Sequence, residues 1–192
     1  MSSHVSSMPR RDLNGRQVDT LDRLLEAARA ELEEVGHEVL TIRTVATRAG
    51  FSSATAYNYF ASRDHLFAEL FWRHLATSEL PALTGRSSTR RLQQTTRHLA
   101  GTISAAPALA AAATKSLLGS DPAVAELRLR VGAVFADRFR TAIGARIDPK
   151  VLDTLLIAFS GALLQTGMGL FTYPELADRL DDVVAVIMRG NA

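Results

Sequence analysis

Residues 41–63, TIRTVATRAGFSSATAYNYFASR, constrain the fold more than any other part of the chain, because they contain two short helical patterns separated by a short turn. Thr41 can cap a first helix that ends at Gly50, a residue that tolerates the left-handed backbone conformation. Ser52 and Ser53 can cap the helix that follows. Two short helices joined by a tight turn that contains glycine predict a helix-turn-helix unit, whose second helix enters the major groove of DNA.

Helical patterns continue on both sides of this unit. Apolar residues repeat at helical spacing from Leu21 to Val35, after the capping candidates Asp19 and Thr20, and Gly36 then acts as a stop signal. A further helix, capped by Ser62, is predicted on the other side, and its apolar face consists of Leu66, Phe67, Leu70 and Phe71.

Composition excludes several classes of protein. The 192 residues include no cysteine, which excludes thiolate nucleophiles, cysteine-ligated zinc, iron–sulfur clusters and disulfides. The formal net charge is only +2, so the local clustering of charge has to identify any charged partner. We predict no secretion signal, and the longest uncharged run, residues 154–171, is too short and too polar to span a membrane. A cytoplasmic protein without a membrane association is therefore expected.

The second half of the chain also has the pattern of helices and lacks the alternation of strands, so the predicted fold class is all-α. A boundary at residues 81–89 gives three expected parts: a flexible N-terminal arm over residues 1–17, a helix-turn-helix domain over 18–80 and a second helical domain over 81–192. Residues 151–171 are apolar nearly all round. Because such a helix must be covered on every side, we expect the last two helices to pack against a second copy of the chain.

The polar residues of the helix-turn-helix segment are those of a surface that faces phosphate. Residues 41–63 contain Arg43, Arg48 and Arg63 but no acidic residue. The second helix, expected to run through Phe60, combines small residues that would let its backbone approach the groove with side chains that hydrogen-bond. The small residues are Ser53, Ala54 and Ala56, and the hydrogen-bonding ones are Thr55, Tyr57, Asn58 and Tyr59. The alternative is an ordinary helical hairpin with a solvated face.

The segment from about Leu21 to Phe71 resembles the DNA-binding domain of the tetracycline-repressor (TetR) family of bacterial regulators. The resemblance is carried by Thr44-Val45-Ala46, Ala49-Gly50-Phe51-Ser52, Thr55-Ala56-Tyr57-Asn58-Tyr59-Phe60 and Ser62-Arg63-Asp64-His65-Leu66. It departs from the usual family pattern, which has glycine, leucine, histidine and lysine, at Ala54, Ala56, Tyr59 and Arg63. The resemblance implies a three-helix N-terminal DNA-binding domain, a homodimer, and a C-terminal domain over residues 81–192 that binds an effector and dimerises.

The same resemblance implies contacts with the DNA backbone. Thr41, Arg43 and Thr44 should hold phosphates at the start of the first helix of the motif, where backbone N–H groups also point at an anion. Tyr59 and Arg63 should also grip phosphate.

Base contacts are implied for the helix that follows the turn. Its candidates for the base edges are Ser53, Thr55, Tyr57 and Asn58, and asparagine suits a bidentate contact with adenine. Which of them face the groove is left open by the sequence. Three arginines precede the helix predicted from Leu21 to Val35: Arg10, Arg11 and Arg16. They could reach an adjacent groove or could belong to a solubilising tail.

The sequence predicts no enzyme. No nucleophile–base pair, carboxylate dyad, metal cluster or phosphate loop is apparent, so we predict no catalytic residue, cofactor or metal. An effector pocket in the second domain would be mainly apolar with a few polar groups. Gln94, His98 and Thr102, four apart on one predicted helix, could supply those groups, and by family analogy the rest of the lining would be Phe135, Phe139, Gln165 and Met168. Core packing or dimer contact is the alternative for each.

The leading hypothesis is a dimeric transcriptional regulator, a repressor that a small, largely apolar effector releases from double-stranded operator DNA. An activator, or a regulator that senses no small molecule, would differ only in the second domain. A different class of protein, a helical enzyme or a protein-binding module, could retain the hairpin as scaffold.

Overall fold

The computed structural model describes residues 15–144, 148–189 and 191, and these form nine α-helices with no strand among them. In chain order the helices are α1 (Gly15–Val39), α2 (Ile42–Ala49), α3 (Ser53–Tyr57), α4 (Arg63–Thr77), α5 (Ser88–Ser104), α6 (Pro107–Leu118), α7 (Ala125–Ile143), α8 (Pro149–Gly167) and α9 (Tyr173–Met188). A 3₁₀ turn, Pro122–Val124, precedes α7. The prediction of an all-α fold is confirmed.

The first compact unit, Met1–Phe60, has its core along α1. The predicted apolar face of α1 is buried, and the helix is interrupted at Gly36, whose φ of 76° only glycine adopts easily. The predicted start of α1 was wrong, because the helix already begins at Gly15. Asp19 and Thr20 therefore lie inside it, where the Thr20 hydroxyl bonds back to the Arg16 carbonyl at 2.9 Å instead of capping a helix end.

The second compact unit, Ala61–Ala192, contains α4 to α9. Ser62 caps α4 as predicted, since its hydroxyl accepts a hydrogen bond from the His65 amide at 2.9 Å. The predicted apolar face of α4 is buried, and this helix packs against α6 and α7. The structural division thus falls after Phe60, because α4 packs with the second unit. The boundary predicted from sequence, between residues 80 and 81, separates the DNA-binding domain from the effector domain by function, and it stays a prediction.

An aromatic cluster forms the centre of the second unit. Phe159 of α8 meets Phe135 and Phe139 of α7 edge to face, with ring centroids 4.9 and 5.3 Å apart. Phe139 and Phe159 are almost completely buried. Near the end of α8 the backbone approaches α6, because a Cβ on Gly167 would lie 2.8 Å from the Thr114 methyl group. Small residues in this part of α8 therefore serve helix packing.

Helix α8 is not covered on all sides by its own chain. Val151, Leu155 and Phe159 are buried, whereas the Ile157 side chain is 75% exposed and Leu164 is also exposed. Among the helices that the structure describes, none has the length and hydropathy required to cross a bilayer. An apolar face of α8 is thus left open in a single chain.

Candidate nucleic-acid interface

The start of α2 offers free backbone donors beside an arginine. The Thr41 hydroxyl accepts from the Thr44 amide, and the Thr44 hydroxyl accepts from the Thr41 amide, both at 3.1 Å, which forms a capping box. The amides of Ile42 and Arg43 precede the first intrahelical bond, which runs from Val45 to Thr41. This end of α2 therefore has the donors and the positive dipole that favour a phosphate group.

The turn after α2 is rigid because α1 holds it. Gly50 takes the left-handed conformation at φ 74°, and the Phe51 amide bonds to the Ala46 carbonyl at 2.9 Å. The Arg23 guanidinium of α1 donates to the Ala49 carbonyl at 2.9 Å and lies 4.6 Å from the centre of the Phe51 ring. The angle at which α3 follows α2 is thereby fixed.

Helix α3 is a short element with one face anchored and one face open. The Ser52 hydroxyl accepts from the Thr55 amide at 3.1 Å and caps the helix as predicted, whereas Ser53 is its first residue. Ala56 is fully buried and Ala54 is exposed. The expectation that Ala56 would face the groove was therefore wrong, because this small side chain lets α3 pack on its own unit.

The end of α3 also differs from the prediction, because the helix ends at Tyr57 instead of Phe60. The Asn58 amide closes the last turn, and the Tyr59 and Phe60 amides both bond to the Ala56 carbonyl at 3.0 Å. Phe60 is buried, and its side chain is therefore directed away from the exposed face of α3. A helix continued by one more turn would carry these residues to other faces.

The open face of α3 presents two of the four predicted base-reading side chains. Tyr57 is 48% exposed and Asn58 is exposed, whereas Ser53 and Thr55 are half-buried. The Thr55 hydroxyl lies 2.9 Å from the Ser52 hydroxyl and is thus engaged at the helix cap. Tyr57 and Asn58 are the more accessible of these side chains.

The arginines of residues 41–63 are not all free of acidic neighbours in the folded structure. Arg43 is exposed and makes no ion pair with any residue described in the structure. Arg48 instead lies between two carboxylates of α1: it bonds to Glu34, and its Nε lies 2.7 Å from the Glu31 carboxylate. These carboxylates raise the pKa of Arg48. Counting Arg48 toward an acid-free surface was wrong, because acids distant in sequence neutralise it.

The remaining predicted DNA contacts are placed less completely. Tyr59 is half-buried in the first unit, and the half-buried Arg63 opens α4 in the second. Of the arginines in the predicted arm, Arg16 lies exposed in the first turn of α1, whereas Arg10 and Arg11 lie outside the described residues. The structure therefore brings together the residues of α2 and α3 only.

None of the seven predicted pocket residues of the second unit lines either of the two clefts described below. Phe135 and Phe139 belong to the buried aromatic cluster, whereas Gln165 and Met168 are exposed. Gln94 ties down a loop, because its side-chain amide bonds to both the amide and the hydroxyl of Thr84. Phe135, Phe139 and Gln94 therefore have structural contacts of their own.

His98 and Thr102 are the two polar residues of the predicted pocket that the structure joins. The His98 Nε2 and the Thr102 Oγ1 each lie 2.9 Å from the Ser78 hydroxyl oxygen. Burial, together with the positive charge of Arg138, lowers the pKa of His98, which keeps its imidazole neutral at neutral pH. This small polar network lies among the helices of the second unit.

Two clefts open beside this network, and both are lined by Arg138, which the sequence reasoning missed. Their volumes are about 400 and 570 Å³. The signal that could have revealed Arg138 is its position on the apolar face of α7, seven residues after Val131 and eleven after Leu127. In the described part of the chain, no three histidine or acidic side chains cluster in a way that could hold a metal ion.

Comparisons with known proteins identify the helix-turn-helix region and the fold. Residues 24–70 match the model of the bacterial regulatory proteins of the tetR family. An uncharacterized HTH-type transcriptional regulator of Mycobacterium tuberculosis is 42% identical over 181 residues, which cover 92% of this chain and 84% of that protein.

Solved structures agree with the whole fold. A TetR transcriptional regulator from Rhodococcus sp. RHA1 superposes with a TM-score of 0.78 at 20% identity and covers 93% of this chain and all of its own. The Thermus thermophilus repressor FadR, solved in complex with lauroyl-CoA, superposes with a TM-score of 0.67 at 18% identity over 88% of this chain and 93% of its own. The chain, with its capped and rigid helix-turn-helix, therefore belongs to the TetR family of bacterial DNA-binding transcriptional regulators.

Proposed function

We propose that the protein is a homodimeric repressor that acts in the cytoplasm and leaves its operator when a small, largely apolar effector binds. The observation that carries the proposal is the surface formed by the start of α2 and by α3, which we name the reading surface. Its exposed residues are Thr41, Arg43, Thr44, Tyr57 and Asn58, and its half-buried residues are Ser53 and Thr55. Tyr59, Arg63 and the arginines of the N-terminal arm extend the proposed contact with DNA.

Each part of the reading surface suits a different part of the duplex. The start of α2 would bind a phosphate through its free amides and Arg43, and this contact would fix the register of the protein on DNA. Tyr57 and Asn58 would then meet base edges in the major groove, where the amide of asparagine can pair with adenine. Phosphate contacts release counterions, so affinity for the upstream DNA of the gene should fall steeply with salt.

A second copy of the chain would cover the open apolar face of α8 and α9. Leu164 and Met168 follow Ile157 by seven and eleven residues, so the three lie along one face of α8 and its C-terminal cap. Val186 of α9 is 64% exposed. Since α8 and α9 pack against each other, their exposed residues can form one self-complementary patch, as a two-fold interface requires.

Ile157→Glu should convert the dimer to a monomer and raise the dimer dissociation constant by about 100-fold or more. The two-fold interface would then bury one unpaired carboxylate from each subunit. Sedimentation equilibrium over a range of protein concentrations measures this constant. Leu129→Glu is the matched control, since Leu129 is 76% exposed on α7 and Ile157 is 75% exposed on α8. A variant at Ile157 that dimerises as tightly as the control would contradict the proposed interface.

The effector response rests on the clefts of the second unit. Two open clefts of about 400 and 570 Å³ are the candidate positions for the effector in this unit. The lauroyl-CoA bound to the T. thermophilus FadR supports the view that this fold can accommodate a ligand with a long apolar part. An activator, or a regulator without an effector, is the alternative. A library screen for thermal stabilisation tests the second of these: a compound that stabilises the protein and releases the DNA supports an effector response.

A further inference from the structure

Arg138 is a charged side chain inside the second unit that is only partly satisfied. It is 8% exposed, and its Nη2 donates to the carbonyls of Leu75 and Ser78 at 2.5 and 2.6 Å. Its Nη1 is buried and has no hydrogen-bond partner among the described residues. A buried guanidinium with an unused donor is an unfavourable arrangement, because water no longer solvates that group.

The protein supplies little negative charge to offset Arg138. Asp137 raises the pKa of Arg138 through its charge, but its side chain is 79% exposed and lies 4.0 Å from Arg140. Burial has the larger effect and lowers the pKa of Arg138. A buried charge without a partner is strongly unfavourable, so an external anion that binds at Arg138 would gain the energy of pairing with that charge.

The surroundings of Arg138 are apolar on one side and polar on the other. Arg138 lines both clefts, whose apolar walls include Trp72 and Val134 in one and Leu80 and Leu83 in the other. The exposed Asp137 also lines both clefts, and each cleft has a second arginine, Arg130 or Arg91. The Ser78 carbonyl accepts a hydrogen bond from Arg138. The Ser78 hydroxyl belongs to the network with His98 and Thr102, so Ser78 connects Arg138 to that network. An anionic head group at Arg138 would therefore continue into an apolar wall.

We propose that Arg138 is the anion-binding position of this regulator, and that its effector carries a carboxylate or phosphate head group on an apolar body. Both anions accept guanidinium N–H groups in charge-assisted hydrogen bonds, so they share this chemistry. Because Nη1 is buried, the guanidinium has to turn toward a cleft to donate to the anion. The proposal rests on the proposed function in one respect only, which is that the ligand of this site is the effector.

The test uses the full chain and four eight-carbon probes: octanoate, octyl phosphate, 1-octanol and octylammonium. Trp72 is the only tryptophan of the chain and lines one cleft, so its fluorescence reports binding without DNA. Octanoate or octyl phosphate should bind about 10- to 100-fold more tightly than 1-octanol, and octylammonium more weakly still. The order of the two anions distinguishes the head groups. Equal affinities for octanoate, octyl phosphate and 1-octanol would overturn the proposal.

Variants then assign the effect to Arg138. Arg138→Met should abolish the preference for the anionic probes, whereas Arg140→Met, which removes an exposed arginine two residues away, should retain it. A folded Arg138→Met variant that still prefers octanoate would overturn the assignment. If that variant does not fold, the comparison of the four probes on the unaltered protein still decides the chemistry. DNA release is measured separately: a complex with DNA that survives saturation with a bound anion contradicts the effector response but leaves the anion site intact.

Discussion

Phe159→Ala should lower the free energy of unfolding by about 3–5 kcal/mol, the usual range for the loss of a fully buried phenylalanine. Phe159 is 1% exposed and makes edge-to-face contacts with Phe135 and Phe139, so alanine would remove both ring contacts and leave a cavity between α7 and α8. Denaturation by urea, followed by circular dichroism at one fixed protein concentration, measures the loss.

Leu129→Ala serves as the control for this substitution. Leu129 lies on the outer face of α7 and is 76% exposed, so its truncation should change the free energy of unfolding by less than about 0.5 kcal/mol. The aromatic cluster would not be the centre of the second unit if the two substitutions destabilised the protein equally.

Arg43→Ala and Tyr57→Ala should each weaken the binding of upstream DNA by about 10- to 100-fold without loss of the fold. Both side chains are exposed on the reading surface, and a dimer loses each contact twice. For Arg43→Ala the slope of log K against log salt should also fall by about two, one phosphate contact for each subunit. Fluorescence anisotropy with labelled DNA at several salt concentrations gives both quantities.

Arg140→Ala separates a local contact from a change in net charge. It removes the same charge from an exposed position on α7, in the second unit. We expect its salt slope to match that of the unaltered protein. If Arg43→Ala has no larger effect than Arg140→Ala, then the start of α2 does not bind phosphate.

The helix-turn-helix could be predicted from sequence because short-range chemistry determines it. The caps at Thr41, Ser52 and Ser62 and the left-handed Gly50 involve residues no more than a few positions apart, and all four were found as predicted. The family, the all-α fold and the regulatory class are confirmed, and the family is one of DNA-binding proteins and not of enzymes.

Features that depend on distant contacts were missed. The carboxylates that neutralise Arg48 lie 17 and 14 residues before it, so a local count of charges could not include them. The spacing of Arg138 on α7 could have indicated its burial, but the carbonyls to which it bonds lie 63 and 60 residues earlier, beyond the reach of a local pattern. The early end of α3 was missed as well: the Tyr59 and Phe60 amides both bond to the Ala56 carbonyl, and Phe60 is buried.

The most direct test of the account is affinity cleavage from α3. The chain contains no cysteine, so Ala54→Cys provides a unique attachment point for an iron–EDTA group on an exposed residue of that helix. A dimer that lays both copies of α3 in the major groove should cut the upstream DNA at two symmetric positions about one helical turn apart. The same group attached through Leu129→Cys should give no cleavage. Intact DNA in a complex labelled at position 54, or cleavage from position 129 alone, would contradict the account.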